Sequence, residues 1–230
     1  ISFSITAWGL GFLDFFTRQS SKIMVGFALD ARALGIYAVA NSAAAFVPIV
    51  LRSINQIFAP TISDLHARHE LPVLGRMFQT LTKWIIGFTA PLAAVMIIFA
   101  APLMRIFGRD FEAGWLVLVI CVLGQLVNCG VGSAGTMLLM AGHQKSLIRI
   151  QAVTAVAMVA LNIVLVPFWG IAGAAVAAAI SMTMSNVGYL IAVKRRLGMS
   201  PYNRSYLHLI VPLSASTGLL LAVRYAMRNI

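Results

Sequence analysis

From Ile150 to Val193 the chain runs 44 residues without an Asp, Glu, Lys, Arg or His, interrupted only by the cluster Pro167, Trp169 and Gly170. A bilayer core about 30 Å thick takes roughly 20 apolar residues per helical crossing, so this stretch predicts two crossings joined by a tight, charge-free turn. Within hydrocarbon every backbone N–H and C=O must be paired inside the protein, and runs of this length satisfy that as helices. Read the same way, the whole chain divides into apolar segments at 3–28, 34–58, 84–107, 113–140, 147–166, 170–193 and 206–223. Turn and breaker residues fall between them: Asp30 to Arg32, Pro60 with Pro72, Gly108 to Gly114, Gly142 to Lys145, and Gly198 with Pro201. In the longest polar connection Val73, Leu74, Met77, Phe78 and Leu81 recur at helical spacing, with Arg76, Thr80 and Lys83 on the other face. That pattern predicts an amphipathic helix at 72–83 lying on the membrane surface.

Composition agrees with lipid as the main solvent: 60% of residues are hydrophobic against 10% charged, and mean hydropathy is +0.93. Neither a basic leader nor an initiator Met precedes Ile1, so the sequence reads as a piece of a longer protein. A net charge of +11 would suit nucleic acid on a soluble basic face, but no such face or helix-turn-helix context is present. The charge reads instead as membrane topology. Arg52, Arg68, Arg76, Lys83, Lys145, Arg149, Lys194, Arg195, Arg196 and Arg204 collect on one side of the predicted helices; Arg32, Arg105, Arg109, Arg224 and Arg228 collect on the other. Because Lys and Arg are enriched in cytoplasmic loops, the first side is expected to be cytoplasmic, with Ile1 inside and Ile230 outside. Cys121 and Cys129 are eight positions apart in one apolar run, about 12 Å along a helix, too far to bridge. Trp84, Trp115 and Trp169 fall near predicted helix ends, where amphipathic rings favour the headgroup zone.

Polar positions inside the apolar segments nominate a site. Asp14, Arg18 and Lys22 step by four through the first segment and so share one helix face. An ionised side chain facing lipid costs several kcal/mol, about 2.5 to 3.5 on insertion scales, so this face is expected to turn toward protein or enclosed water. The structural alternative is an Asp14–Arg18 ion pair with Lys22 snorkelling to the boundary. In the second segment Asn41, Pro48, Arg52 and Asn55 align on a straight helix, and Pro48 is expected to bend it by removing one backbone donor. Gln125, Asn128, Gly132 and Thr136 share a face in the fourth segment, as do Gln151, Thr154, Met158 and Asn162 in the fifth. Such uncharged groups suit sugar hydroxyls, but their commoner use is bonding between helices. Gly170 to Ser181 is rich in small residues, which let helices approach closely.

Catalytic patterns are weak. Asp110 and Glu112 sit in a short loop with nothing to fix them as an acid/base pair. His66, His69, Asp64 and Glu70 lack a third well-placed ligand and read as a solvated face. Neither a catalytic residue nor a bound cofactor is expected.

Several strings, taken in order and spacing, resemble the C-terminal half of the polysaccharide or O-antigen flippases of the multidrug/oligosaccharidyl-lipid/polysaccharide exporter superfamily. They are LGIYAVA from Leu34, IFAPTISDLHARHE from Ile57, LMRIFGRDFEAG from Leu103, GQLVNCGVGSAGTMLLMAGHQK from Gly124 and LNIVLVPFWGIAGAAVAAAIS from Leu161. The resemblance implies an all-α integral membrane protein of about seven transmembrane helices. Residues 1–193 would form the second six-helix lobe of a two-lobed transporter, and 194–230 a basic cytoplasmic loop with one further helix. It implies a flippase of the bacterial inner membrane that moves undecaprenyl-diphosphate-linked oligosaccharide between leaflets by alternating access. The partners would be that lipid-linked oligosaccharide, membrane lipids and a missing N-terminal lobe, with no nucleic acid; the energy source is open between Na+, H+ and membrane potential alone, and no ion site is evident in the sequence. Cavity candidates are then Arg18, Lys22, Arg52, Asp14, Asn41, Asn55, Gln125 and Asn128, with cations meeting the pyrophosphate and Asp14 departing from a purely cationic lining. The competing expectations are a multidrug antiporter of the same superfamily, for which Asp14 would be the cation-binding acid, a membrane enzyme of glycan assembly, and a scaffold using the basic loops.

Overall fold

The protein's structure is a computed structural model in which residues 2–202 are described; the side chains of residues 2–8, Leu10, Asp14, Phe16 and Arg18 lie outside that description. The described chain is helical throughout: α1 (Ser2–Ala28), α2 (Ala31–Ala44), α3 (Ile49–Ala67), α4 (Leu71–Ile98), α5 (Ala100–Arg105), α6 (Trp115–Val131), α7 (Ala134–Met140) and α8 (Gln144–Leu197), with a 3₁₀ turn at Arg109–Gly114 before α6. Leu71–Ile98, Arg109–Val131 and Gln144–Leu197 are each long and apolar enough to cross a membrane, and α2 with α3, bent by 53°, makes a fourth candidate. The predicted segment 206–223 falls outside the described residues.

Gly170, at φ 55° and ψ −134°, breaks α8 into two arms. A Cβ on Gly173 would meet the Leu165 carbonyl, and one on Gly188 would lie 2.9 Å from Ile150, so the arms are antiparallel and nearly touching. The charge-free run is thus the hairpin that its composition predicts, with Ala174, Ala175 and Ala177 buried in it. α1 runs parallel to the first arm: Ser21 bonds Asn162, and Leu29 contacts Gly170, both pairs being 141 positions apart. α6 and then α7 follow the second arm in parallel, with Gly124 of α6 against Ala179 and Gly135 of α7 against Tyr189.

Three elements differ from the sequence expectation. The amphipathic stretch 72–83 is helical, but it is the opening of α4, continuous with the crossing. The centre of its apolar face is covered by protein: Leu74 and Phe78 are buried with Ile62, Leu138, Leu147 and Leu197, while Val73 stays exposed. Trp84 therefore lies mid-helix, exposed, instead of at a helix end. The fourth segment is not one helix either. It stops at Gly132 (φ 67°), whose missing side chain admits the Thr82 hydroxyl of α4, and α7 restarts at Ala134. That break removes Thr136 from the face of Gln125 and Asn128.

The third difference is the end of α2. Pro48 caps α3 and is buried, and the stripe that a straight helix would make of Asn41, Pro48, Arg52 and Asn55 is divided between two helices. Proline lacks the N–H that the Ala44 carbonyl would receive in an unbroken helix. Val47 N–H supplies it from three residues away (3.1 Å), and Phe46 and Ile49 make the same shortened bonds to Ala43 and Phe46. The predicted bend is present, and its freed carbonyl is satisfied within the backbone.

A basic and an acidic-basic end result. At one end Arg32 pairs with Asp110 at 2.9 Å and Arg105 with Glu112 at 3.8 Å, all four exposed or half-exposed. The opposite end gathers the termini of α3, α7 and α8 around the second apolar cluster, and carries Arg68, Lys145, Lys194, Arg195 and Arg196.

Candidate functional site

The site candidates are placed by α1, the α2–α3 break and α6. Asp14 and Arg18 belong to α1, but their side chains lie outside the described residues. Lys22, on the same helix, is half-buried at the edge of the face on which Ser21 and Val25 are buried. Asn41 is half-buried near the end of α2. Arg52 and Asn55 occupy the first two turns of α3, Arg52 exposed and Asn55 half-buried. The Asn55 Oδ1 is enclosed and has no hydrogen-bond partner among the described residues. Such an acceptor is costly to leave dry, by roughly 1 to 3 kcal/mol. Neither Lys22 nor Arg52 forms an ion pair with a described residue.

On α6 the Asn128 side-chain amide donates to the Gln125 Oε1 at 3.3 Å, so these two candidates bond to each other along the helix. The Arg52 guanidinium lies within electrostatic reach of Cys129, the neighbour of Asn128, which brings α3 and this turn of α6 into one region. No described hydrogen bond joins Lys22 or Asn41 to that region. Two surface cavities have defined linings, about 320 Å³ at Pro102, Arg105, Ile106 and Glu112, and about 590 Å³ between α6 and the second arm of α8. None of the candidates lines either.

Three polar side chains that spacing did not bring together meet in the interior. Ser21 donates from its hydroxyl to the Asn162 Oδ1 at 3.1 Å, and the Asn162 amide donates to the Met158 carbonyl at 2.8 Å. The Tyr37 hydroxyl lies against Ser21. All three residues are at most 2% exposed, so α1, α2 and the first arm of α8 are tied together by a dry polar chain. Asn162 was on the predicted polar face of its helix; Ser21 and Tyr37 carry no spacing signal. Thr154, on that same face, bonds back to the Ile150 and Gln151 carbonyls at 3.0 Å. Both uses are structural.

The arrangement defines a polytopic membrane protein: a helical bundle with no strand among the described residues, a cation, Arg52, on its bent candidate span, and an apolar hairpin as its scaffold. Comparison with known proteins places it further. A family model described as "Polysaccharide biosynthesis protein" matches residues 1–120, and the chain belongs to that family. It is similar to a probable flippase, AglR, of Haloferax volcanii, with 26% identity over 197 residues that cover 80% of this chain and 40% of the relative. Among solved structures it is similar to the lipid II flippase MurJ in an inward closed conformation, at TM-score 0.66 and 15% identity, over 94% of this chain and 53% of that one. The fold is therefore MurJ-like, and the chain spans about half or less of the proteins it matches.

Proposed function

We propose that this chain is the second lobe of a flippase that carries an undecaprenyl-diphosphate-linked oligosaccharide across the bacterial inner membrane by alternating access, supplying polysaccharide or O-antigen assembly. The other lobe would come from the part of the protein preceding residue 1, and the shared cavity would lie between the lobes. The observation that carries this reading is the pair of cations Lys22, half-buried on α1, and Arg52, on the bent pair of α2 and α3, neither with an acidic partner among the described residues. Family membership and the MurJ-like fold support it.

The physical requirement is the passage of a charged head through about 30 Å of hydrocarbon. A diphosphate left dry there is prohibitively costly, and basic side chains in a hydrated cleft offset that cost. Arg18 and Lys22 would meet the pyrophosphate from α1 and Arg52 from the foot of the α2–α3 break. Asn41, Asn55, Gln125 and Asn128 would offer amides to sugar hydroxyls, and Asp14 would hold Arg18 in place. Transport driven by Na+, H+ or potential needs no cofactor.

The test is surface glycan in cells carrying the full-length protein with Arg18→Gln and Lys22→Gln together, and separately Arg52→Gln. A charge-assisted hydrogen bond contributes about 1.5 to 3 kcal/mol, so each lost phosphate contact should weaken substrate binding roughly 10- to 100-fold. The double variant should lose surface glycan at unchanged protein level in the membrane. Normal glycan display by that variant removes the substrate role.

A further inference from the structure

Between α6 and the second arm of α8 runs an open groove of about 590 Å³. Leu123 and Val127 form one rim and Met184, Val187 and Ile191 the other, all exposed, and Gly124 and Gly188 leave room between them. Its one hydroxyl, on Thr183, donates to the Ala179 carbonyl at 2.8 Å, so the groove presents no polar side chain in need of a partner. From Ala179 to Ile191 it follows the helix for about 18 Å. That is close to the depth of one leaflet, about half of a 30 Å hydrocarbon core.

One end of the groove is basic. Lys194 follows Ile191 by three positions and Val187 by seven, and Arg195 follows Ile191 by four, so both continue the groove face one turn beyond its last apolar residue. Both are exposed. Arg196, on the other side of that turn, lies within electrostatic reach of His143, and Lys145 is exposed at the start of α8. The positive field is unopposed. Asp64, at the end of α3, is taken by Arg68 at 3.0 Å, and neither Glu70 nor any other described acid pairs with Lys145, Lys194, Arg195 or Arg196.

We propose that the groove seats an anionic phospholipid of the leaflet on the basic side, with one acyl chain between α6 and the second arm and the phosphate held by Lys194 and Arg195. An apolar slot as deep as one leaflet, ending in cations at headgroup level, matches a hydrocarbon tail that carries an anionic head. An apolar helix or a second copy of the chain would fill the slot and leave Lys194 and Arg195 without a counter-charge. The inference is independent of what the protein transports, because none of the residues proposed to meet that substrate lines the groove.

The test uses the full-length protein in proteoliposomes doped with phosphatidylglycerol or phosphatidylcholine carrying a diazirine on one acyl chain, followed by illumination and mass spectrometry of the labelled peptides. The phosphatidylglycerol probe is expected to label the peptides carrying Val127 and Val187, and the phosphatidylcholine probe to label them far more weakly. Each cation near an anionic headgroup contributes about a fivefold gain in affinity, so Lys194→Gln with Arg195→Gln should raise the phosphatidylglycerol fraction needed for half-maximal labelling about 25-fold. Arg109→Gln, at the opposite end of the bundle, should leave that fraction unchanged. Inorganic phosphate at constant ionic strength should not compete, because it has no tail to fill the groove. Equal labelling by the two probes, labelling that the double variant does not weaken, displacement by free phosphate, or no label at either groove peptide because a second copy or another segment fills it, overturns the assignment. The comparison of the two headgroups needs no variant and so decides the matter whether or not the substituted protein folds.

Discussion

The closest approach in the hairpin of α8 makes a quantitative demand on one glycine. A Cβ added at Gly173 would overlap the Leu165 carbonyl oxygen, well inside the 3.4 Å at which ordinary contact begins, so the arms must part. The obstacle is backbone and cannot rotate away. Displacing the second arm also disturbs its contact with α6, where the approach is close enough that a Cβ on Gly124 would stand 3.2 Å from Ala179. Overpacking of this kind costs about 3 kcal/mol at the upper end of its usual range, and alanine's better helix propensity returns about 1. The net loss for Gly173→Ala is therefore about 2 kcal/mol, or about 4 to 8 °C in Tm for a chain of this size. Gly188→Ala is the internal control. Its Cβ would meet the Ile150 side chain at 2.9 Å, which can change rotamer, so the propensity gain roughly cancels the cost. Thermal unfolding of the two purified variants in detergent decides the matter. Equal Tm values, or a Gly173→Ala variant as stable as the unmodified protein, would refute the account of the hairpin.

Three further outcomes are expected. His69 occupies the left-handed region (φ 59°) where the Glu70 N–H closes back on the Leu65 carbonyl at 3.0 Å; His69→Gly should raise stability by up to about 1 kcal/mol and His69→Val should lower it by a similar amount, both read by thermal unfolding. Ser21→Ala should cost about 1 kcal/mol and Asn162→Leu more, because it also removes the bond to the Met158 carbonyl; the double variant should cost little more than Asn162→Leu alone, and additive losses in the double-mutant cycle would contradict the shared bond. His143, in the loop before α8, has its pKa lowered by burial first and then by Arg196 and His66. The folded state thus resists its protonation, so stability should fall as pH drops through the ordinary value of 6.5, and His143→Gln should reduce that acid sensitivity, as followed by unfolding between pH 7.5 and 5, a range of about 2.5 units around it.

The apolar segments and the hairpin were legible because both depend on composition: an uncharged run twice the length of one crossing, cut by Pro167 and Gly170, has few other solutions. The opening of α4 was misread because a helical period reports only that one face is apolar. It does not tell whether lipid covers that face or Ile62, Leu138 and Leu197 do. The stop at Gly132 had no local signal at all, since the reason for it is Thr82, fifty positions away in sequence and on another helix. The site was legible as residue types more than as a constellation. Spacing nominated Asn41, Arg52 and Asn55 on the assumption of a straight helix, and the turn at 45–48 separates the first from the other two. Ser21 and Tyr37 escaped notice because a lone hydroxyl in an apolar helix is indistinguishable from one that bonds its own backbone, as Thr17 and Thr183 do.

The two interruptions of the spanning helices are built on opposite principles, and this bears on where the bundle yields. At Gly170 the reversal is fixed by sterics: the φ and ψ suit glycine, and the arms that follow are in near contact from Gly173 to Gly188. Opening that turn would strip contacts along the whole hairpin. At 45–48 the chain has exchanged four-residue hydrogen bonds for three-residue ones, and the Ala45 N–H sits between the two, 3.1 Å from the Asn41 carbonyl and 3.2 Å from that of Ser42. Trading one pattern for the other is cheap at Asn41 and Ser42, which share the Ala45 N–H, but the Ala44 carbonyl has a donor only in the three-residue pattern, because Pro48 carries no N–H. A change in angle between α2 and α3 that keeps the Val47–Ala44 bond therefore costs little. It would carry Arg52 and Asn55 relative to Asn41 while leaving α1, α8 and the Ser21–Asn162 bond in place.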